Sequence, residues 1–321
     1  MPLEAAVTRW RKIAGGIASA LLVCLLLAWS LRPQSAPANA WRSLLSRSNA
    51  TPPSAAGNSS KPSPEIFFWA WERSEDLRFL SPQRAGVAFL AKTIYLSQPA
   101  GSSANSKPSF SVRPRLQPLR VAPRSLLVAV VRIETQPPAS LAAVSVRAPS
   151  SSPISYSLDF RDSLASEISA LQSLPGVVAI QIDFDATISQ RTFYAALLQD
   201  VRRKLPASLP LSITALASWC IGDPWLAQLP AGTVDEAVPM LFRMGPSSSD
   251  VLKFLRSGRD FPVRACRSSL GLSTDEPLSA AILSGEFAGL AAPARSKRVY
   301  VFAPRAWTPP SAQRVLSQLQ P

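Results

Sequence analysis

Two aspartates, Asp183 and Asp185, end the apolar run that begins at Val177. On an extended strand, residues two apart point the same way, so both carboxylates would crowd one side. Like charges that close call for a cation, a shared proton or a cationic substrate group. Other acids, arginines and indoles sit at the far ends of neighbouring apolar runs: Trp69, Trp71, Glu72 and Arg73; Arg132 and Glu134; Trp219 and Asp223. Further along come Met240, Phe242 and Arg243, then Asp275 and Glu276, then Arg305 and Trp307. Indoles stack on the apolar faces of sugar rings, while carboxylates bond hydroxyls and serve as acid and base, so this mixture suits carbohydrate. Simpler roles compete with that reading. Each tryptophan could be core packing, the Asp pair could cap a helix or pair with Arg191 or Arg243, and Asp275-Glu276-Pro277 could be an acidic first helical turn.

The chain has no histidine, which removes Ser-His-Asp and Cys-His triads, HExxH-type zinc sites and imidazole acid–base chemistry. Besides Cys24 there are Cys220 and Cys266, too few for a cysteine zinc site or a disulfide framework. Carboxylates must therefore carry any catalysis, and neither a metal nor a cofactor is expected. The net charge is +14; Arg9, Arg11, Lys12 and Arg32 against Glu4 account for +3, leaving +11 for the rest. The basic residues are scattered without a basic-aromatic binding motif, so no nucleic-acid partner is expected. An anionic envelope surface or polymer, or plain solubility, accounts for the charge.

Positioning these groups requires strands, and eight apolar runs qualify: Ile66–Trp71, Gly86–Leu96, Leu126–Glu134, Val177–Thr187, Leu211–Trp219, Val234–Phe242, Val263–Leu272 and Val299–Phe302. Helical spacing separates most of them. Leu164, Ile168, Leu171 and Leu174 mark one helix, which Pro175-Gly176 stops; Phe193, Ala196, Leu197 and Val201 mark a second, capped by Ser189. A short helix is expected over 224–229, and further helices over 249–257, 278–290 and 311–319. The basic, Pro/Ser-rich stretch from Ser97 to Pro123 reads as a loop or a small hairpin around Phe110 to Arg115. Eight strands, most with a helix between them and with irregular first two crossovers, are the pattern of an α/β (β/α)8 TIM-barrel-like domain. An open doubly wound sheet is the alternative, but no Gly-rich phosphate loop follows the early strands.

Ahead of this domain the chain changes character. Arg9, Arg11 and Lys12 precede a mostly apolar stretch of roughly 19 residues, Ile13 to Leu31, which reads as a signal peptide or an uncleaved signal anchor through residues 13–31. Ala38-Asn39-Ala40 has the small-x-small form of a cleavage site, so both outcomes stand. Residue 23 is valine, where a lipoprotein signal would place a small residue before Cys24, and this argues against lipidation. Residues 32–64 are Pro/Ser-rich and read as a disordered linker, leaving 65–321 for the barrel. Charge ahead of the apolar run keeps the N-terminus in the cytoplasm, so the domain is expected to be periplasmic on an inner-membrane anchor, or secreted.

Three blocks, Ile180–Asp185, Leu211–Trp219 and Gly271–Pro277, resemble a bacterial family known as domain of unknown function 3142. The resemblance runs from about Glu65 to about Phe302 and implies an exported, barrel-like protein. A weaker resemblance is to chitinase-like barrel glycosidases, whose fourth strand ends in Asp-x-Asp-x-Glu with the glutamate as acid. Here Asp183, Asp185 and Thr187 hold those positions, and a threonine hydroxyl cannot donate a proton as a general acid near neutral pH. What the resemblance implies is a glycoside-hydrolase-like protein acting on, or only binding, a polysaccharide. Asp185 would orient the sugar, Asp183 would tune it, and Glu134, or else Glu72 or Glu276, would be the acid.

Overall fold

The computed structural model describes residues 66–97, 108–136, 156–223, 225–284 and 298–319. The candidate anchor at 13–31 and the linker at 32–64 lie outside these residues; within them no helix is long and apolar enough to cross a membrane. The described residues form eleven strands: β1 Ile66–Ala70, β2 Glu75–Leu77, β3 Gly86–Ser97, β4 Ser109–Pro114, β5 Leu119–Val121, β6 Leu127–Gln136, β7 Val177–Asp183, β8 Leu211–Leu216, β9 Glu236–Met240, β10 Ser269–Ser273 and β11 Arg298–Phe302. Eight of them run parallel in the order β1-β3-β6-β7-β8-β9-β10-β11, and β1 pairs with both β3 and β11, which closes the barrel. The expected (β/α)8 architecture is therefore the one observed. β4 lies antiparallel on β3, and β5 pairs with β2, so the basic segment expected to form a loop or hairpin contributes two outlying strands.

Alternation along the strands separates two apolar sets, as the pleat requires. Phe68, Val87, Ala129, Val131, Ile180, Ile182, Ile213 and Val301 face outward into the shell of helices. Phe67, Trp69, Ala88, Leu90, Val128, Val130, Ala179, Val238 and Tyr300 fill the interior. Helix Leu158–Ser169 turns Phe160, Leu164, Ala165 and Ile168 onto the barrel, and Ser157 caps it by accepting from the Phe160 amide at 3.2 Å. Helix Arg191–Lys204 buries Phe193, Tyr194, Leu197, Leu198 and Val201. The two helices are tied by Arg161 Nε donating to Asp200 Oδ2 at 2.9 Å.

Several boundaries differ from the sequence expectation. β8 ends at Leu216, and Ala217–Ile221 is a short helix, so Trp219 belongs to a helix rather than a strand end. Arg264–Cys266 is a 3₁₀ turn and β10 starts only at Ser269. β7 stops at Asp183, leaving Asp185 on the loop that follows. The second helix is entered through a capping box formed by Thr187 and Gln190, not by Ser189.

The two cysteines outside the N-terminal stretch form one disulfide, Cys220–Cys266, with Cα atoms 5.8 Å apart. It joins the helix after β8 to the turn before β10. Closing a 46-residue separation lowers the entropy of the unfolded chain enough to stabilise the fold by about 4 kcal/mol on the loop-closure model.

A chain of polar side chains runs down the barrel interior. Trp69 Nε1 donates to Gln181 Oε1 (3.0 Å), Gln181 Nε2 to Ser212 Oγ (3.1 Å), and Ser212 Oγ to Glu236 Oε2 (2.9 Å). Tyr300 also donates to Glu236 Oε2 at 2.9 Å, and Arg298 Nη1 reaches Glu236 Oε1 at 2.5 Å. Glu236 is fully buried, and an arginine and two hydroxyls satisfy its carboxylate oxygens.

Candidate functional site

At the C-terminal mouth of the barrel, register sets the site. Arg132 on β6 is the direct neighbour of Asp183 on β7, and the next inward position on β8 is Thr214. These three side chains stand abreast on the last layer of the interior. They border a cleft of about 260 Å³.

The Asp183 carboxyl looks into this cleft from a position only partly open to solvent. Burial pushes its pKa up to about 6; the nearby Asp185 charge adds to that, while Thr214, donating to Oδ1 at 2.7 Å, and Arg132 oppose it. Asp185 is more exposed, and desolvation raises its pKa as well, opposed by Arg132. Behind the pair, the buried Tyr194 phenol is held neutral by desolvation and by both aspartates. Asp183 therefore keeps its proton into mildly acidic solution. Neither aspartate is ion-paired to Arg191 or Arg243. Arg191 instead binds Asp223 at 2.6 Å, and the carboxylate nearest Arg243 is Asp275, at 3.8 Å.

In the barrel's cyclic order β7 and β8 lie opposite β11 and β1, so the wall facing the aspartates is aromatic. Trp71 follows β1 and meets Phe302, at the end of β11, edge-on at 6.3 Å; Phe302 stacks in parallel on Phe242 at 6.0 Å. Trp69 forms the floor. Its indole stacks on Tyr300 at 5.4 Å and lies across Gly271, where a Cβ would come within 3.3 Å of the ring, so the glycine makes room for it. Trp307 Nε1 donates to the Trp69 carbonyl at 3.0 Å and fixes that strand end from outside.

Of the residues singled out in the sequence, Trp69, Trp71, Arg132, Asp183, Asp185, Met240, Phe242 and Arg243 all line this cleft. The others go elsewhere. Trp219 is buried against Trp225 at 4.9 Å, because the chain turns helical after Leu216. Glu72 pairs with Arg113 in a separate depression beside β3 and β4. Arg73 holds Glu75 at 2.7 Å and the Ala303 and Pro304 carbonyls, a tie across the outside of the barrel end. Glu134 does not border the cleft; its Oε1 is taken by Arg132 Nε at 2.6 Å. Asp275 accepts from Ser273, and Glu276 immediately precedes helix Pro277–Ser284. Thr214, Phe302, Ser218, Met244 and Ser247 line the cleft without having been singled out. Thr214 and Phe302 were within reach of strict two-residue alternation, counted back from strand ends. No group of three or more potential metal ligands occurs among the described residues.

Residues 156–242 match a family model described as Domain of unknown function (DUF3142). That segment holds Asp183, Asp185 and the β8 block, while the third block of the resemblance, Gly271–Pro277, lies beyond it. No curated protein sequence matches the chain. Among solved structures, the crystal structure of the Bacillus cereus spore cortex-lytic enzyme SleL aligns at 12% identity over 80% of this chain and 75% of that chain, with a TM-score of 0.46.

Proposed function

We propose that the protein is an exported barrel of glycoside-hydrolase type that takes a polysaccharide into the mouth cleft. The observation that carries this is the facing arrangement of two walls: the Asp183 and Asp185 carboxyls on one, and the aromatic side chains of Trp71 and Phe302 on the other. A sugar ring presents an apolar face and a rim of hydroxyls, which is what such a cleft can hold from both sides. Asp185, the more exposed carboxylate, contacts the sugar; Asp183 behind it sets the charge of the pair through its proton.

A second reading is favoured by one observation: among the described residues the cleft is bordered by no carboxylates other than Asp183 and Asp185, and both stand on one wall. Hydrolysis of a glycosidic bond usually uses two carboxyl groups flanking the bond, at separations on the order of 5 to 9 Å. The same cleft would then bind glycan without cleaving it, as an envelope-binding module. A hydrolysis and retention screen of the purified protein against polysaccharides separates the two. Product release that disappears in Asp185→Asn supports the enzyme; retention without release supports binding; neither, across the panel, refutes the glycan assignment.

Export is supported by the basic-then-apolar N-terminal stretch and by the disulfide, which belongs to oxidising compartments. Thiol labelling of Cys220 and Cys266 in cells under non-reducing conditions tests it. Free thiols at both positions in freshly lysed cells would count against export.

A further inference from the structure

Resting on the glycan reading, we infer that the cleft selects an acidic polysaccharide, one whose sugars carry carboxylate groups, with Arg132 and Arg243 reading those groups on either side of the sugar that faces Asp185. In the ring of strands Arg132 stands on β6, next to β7, and Arg243 just past β9, next to β8, so the two guanidiniums flank the aspartate wall on both sides. Each is braced by the aromatic wall. The Arg132 guanidinium lies 5.6 Å from the Trp71 ring centre and that of Arg243 5.4 Å from Phe302, while Trp71 and Phe302 touch each other. Stacking orients a guanidinium while leaving its in-plane donors available for a bidentate carboxylate.

Among the described residues those donors are not consumed. Arg132 gives Nε to Glu134, and its two terminal nitrogens make no hydrogen bond to any described residue. Among the described residues Arg243 has no partner within hydrogen-bond distance; Asp275 stands 3.8 Å away, and the side chain is 59% exposed. The backbone of Arg243 is also in the left-handed region, at φ 51, a conformation a non-glycine residue adopts at some cost. That conformation is found at the residue which aims a cation into the cleft. Between the arginines, Asp185 would repel a carboxylate but accept from hydroxyls, so the central sugar is read by its hydroxyls and its neighbours by their acids.

The test uses the full-length protein in detergent and a panel of hexuronate oligosaccharides (glucuronate, galacturonate and mannuronate), each beside its carboxyl-reduced, neutral twin. Binding is measured by calorimetry at low and high salt. For at least one pair, the acidic member is expected to bind about tenfold or more tightly than its twin, the worth of one charge-assisted hydrogen-bonded contact. Arg243→Gln and Arg132→Gln should each remove most of that ratio, and salt should lower the acidic affinity while leaving the neutral one unchanged. Trp71→Ala should weaken both twins, and the acidic one more, because it also removes the ring that orients Arg132. Equal binding of the twins, or a ratio untouched by both arginine variants, overturns the acidic assignment while the glycan reading stands. Failure of every oligosaccharide, acidic and neutral, overturns both.

Discussion

Replacing Asp183 by asparagine isolates the energetic cost of placing a carboxyl at the barrel mouth. Asparagine keeps the oxygen that accepts from Thr214 and removes the titration. In the native protein the carboxyl is raised from its ordinary 3.8 to about 6, so the folded state holds the proton more tightly than the unfolded state. The associated stability is fully present below about pH 4 and is lost as pH rises through 6; above that the wild type is less stable than it would be with an unperturbed group by at most about 3 kcal/mol, at ~1.4 kcal/mol per tenfold. Urea unfolding of the oxidised protein at pH 4.5, 6 and 8 measures it. The advantage of Asp183→Asn over wild type should grow from about 1 kcal/mol at pH 4.5 to about 3 kcal/mol at pH 8 relative to its low-pH limit. Titrating groups that do not interact with Asp183 cancel in that difference. A difference constant across this range, or one that shrinks toward alkaline pH, refutes the assignment of a raised pKa to Asp183 and with it the acid pair as described.

Other outcomes follow from the same geometry. Affinity for any ligand of the cleft should change with an inflection near pH 6 that is absent in Asp183→Asn, read by calorimetry across pH 5 to 8. Cys220→Ser with Cys266→Ser should lower the unfolding free energy by about 4 kcal/mol, and reductant should do the same to the wild type but not to the variant. Gly271→Ala places a methyl within 3.3 Å of both the Trp69 ring and the Pro239 carbonyl, and should cost about 1 to 3 kcal/mol with a change in tryptophan fluorescence. Glu236→Leu leaves Arg298 buried without its carboxylate and should cost roughly 3 to 5 kcal/mol by chemical denaturation, while Glu134→Gln, at the exposed rim, should cost under about 1 kcal/mol.

The barrel was legible because its strands are buried on both faces and read as unbroken apolar runs, each ending in charged or aromatic residues. Asp183, Arg132 and Trp69 could be placed from that pattern alone, since an inward residue at a strand end reaches the mouth. Trp219 could not. Ala217 and Ser218 continue an apolar run whether the backbone stays extended or turns helical, and the indole follows the helix into the core. Glu72 and Arg73 likewise sit past the end of β1, where the chain leaves the ring and their partners are Arg113 and Glu75. Glu236 went unmarked because attention to strand ends overlooks strand beginnings, where the floor of the interior lies. The pairing of Cys220 with Cys266 depends on two turns meeting in space, which spacing in the chain does not reveal.

The polar chain from Trp69 to Arg298 bears on how the ring is assembled. Eight parallel strands rich in valine, leucine and alanine offer many wrong neighbours of nearly equal apolar burial. Gln181, Ser212 and Glu236 lie on three consecutive strands, and each is satisfied only when its own neighbour stands beside it at one height. A slip of two residues would keep the apolar pattern and strand a buried carboxylate without its arginine. As a hypothesis, the chain therefore acts as a key for strand order; a variant with apolar residues at all three positions should keep its secondary structure but lose sharp amide resonances, and a well-resolved spectrum from it would remove the idea. On this view the floor of the barrel holds the information that lets its mouth be built in one arrangement.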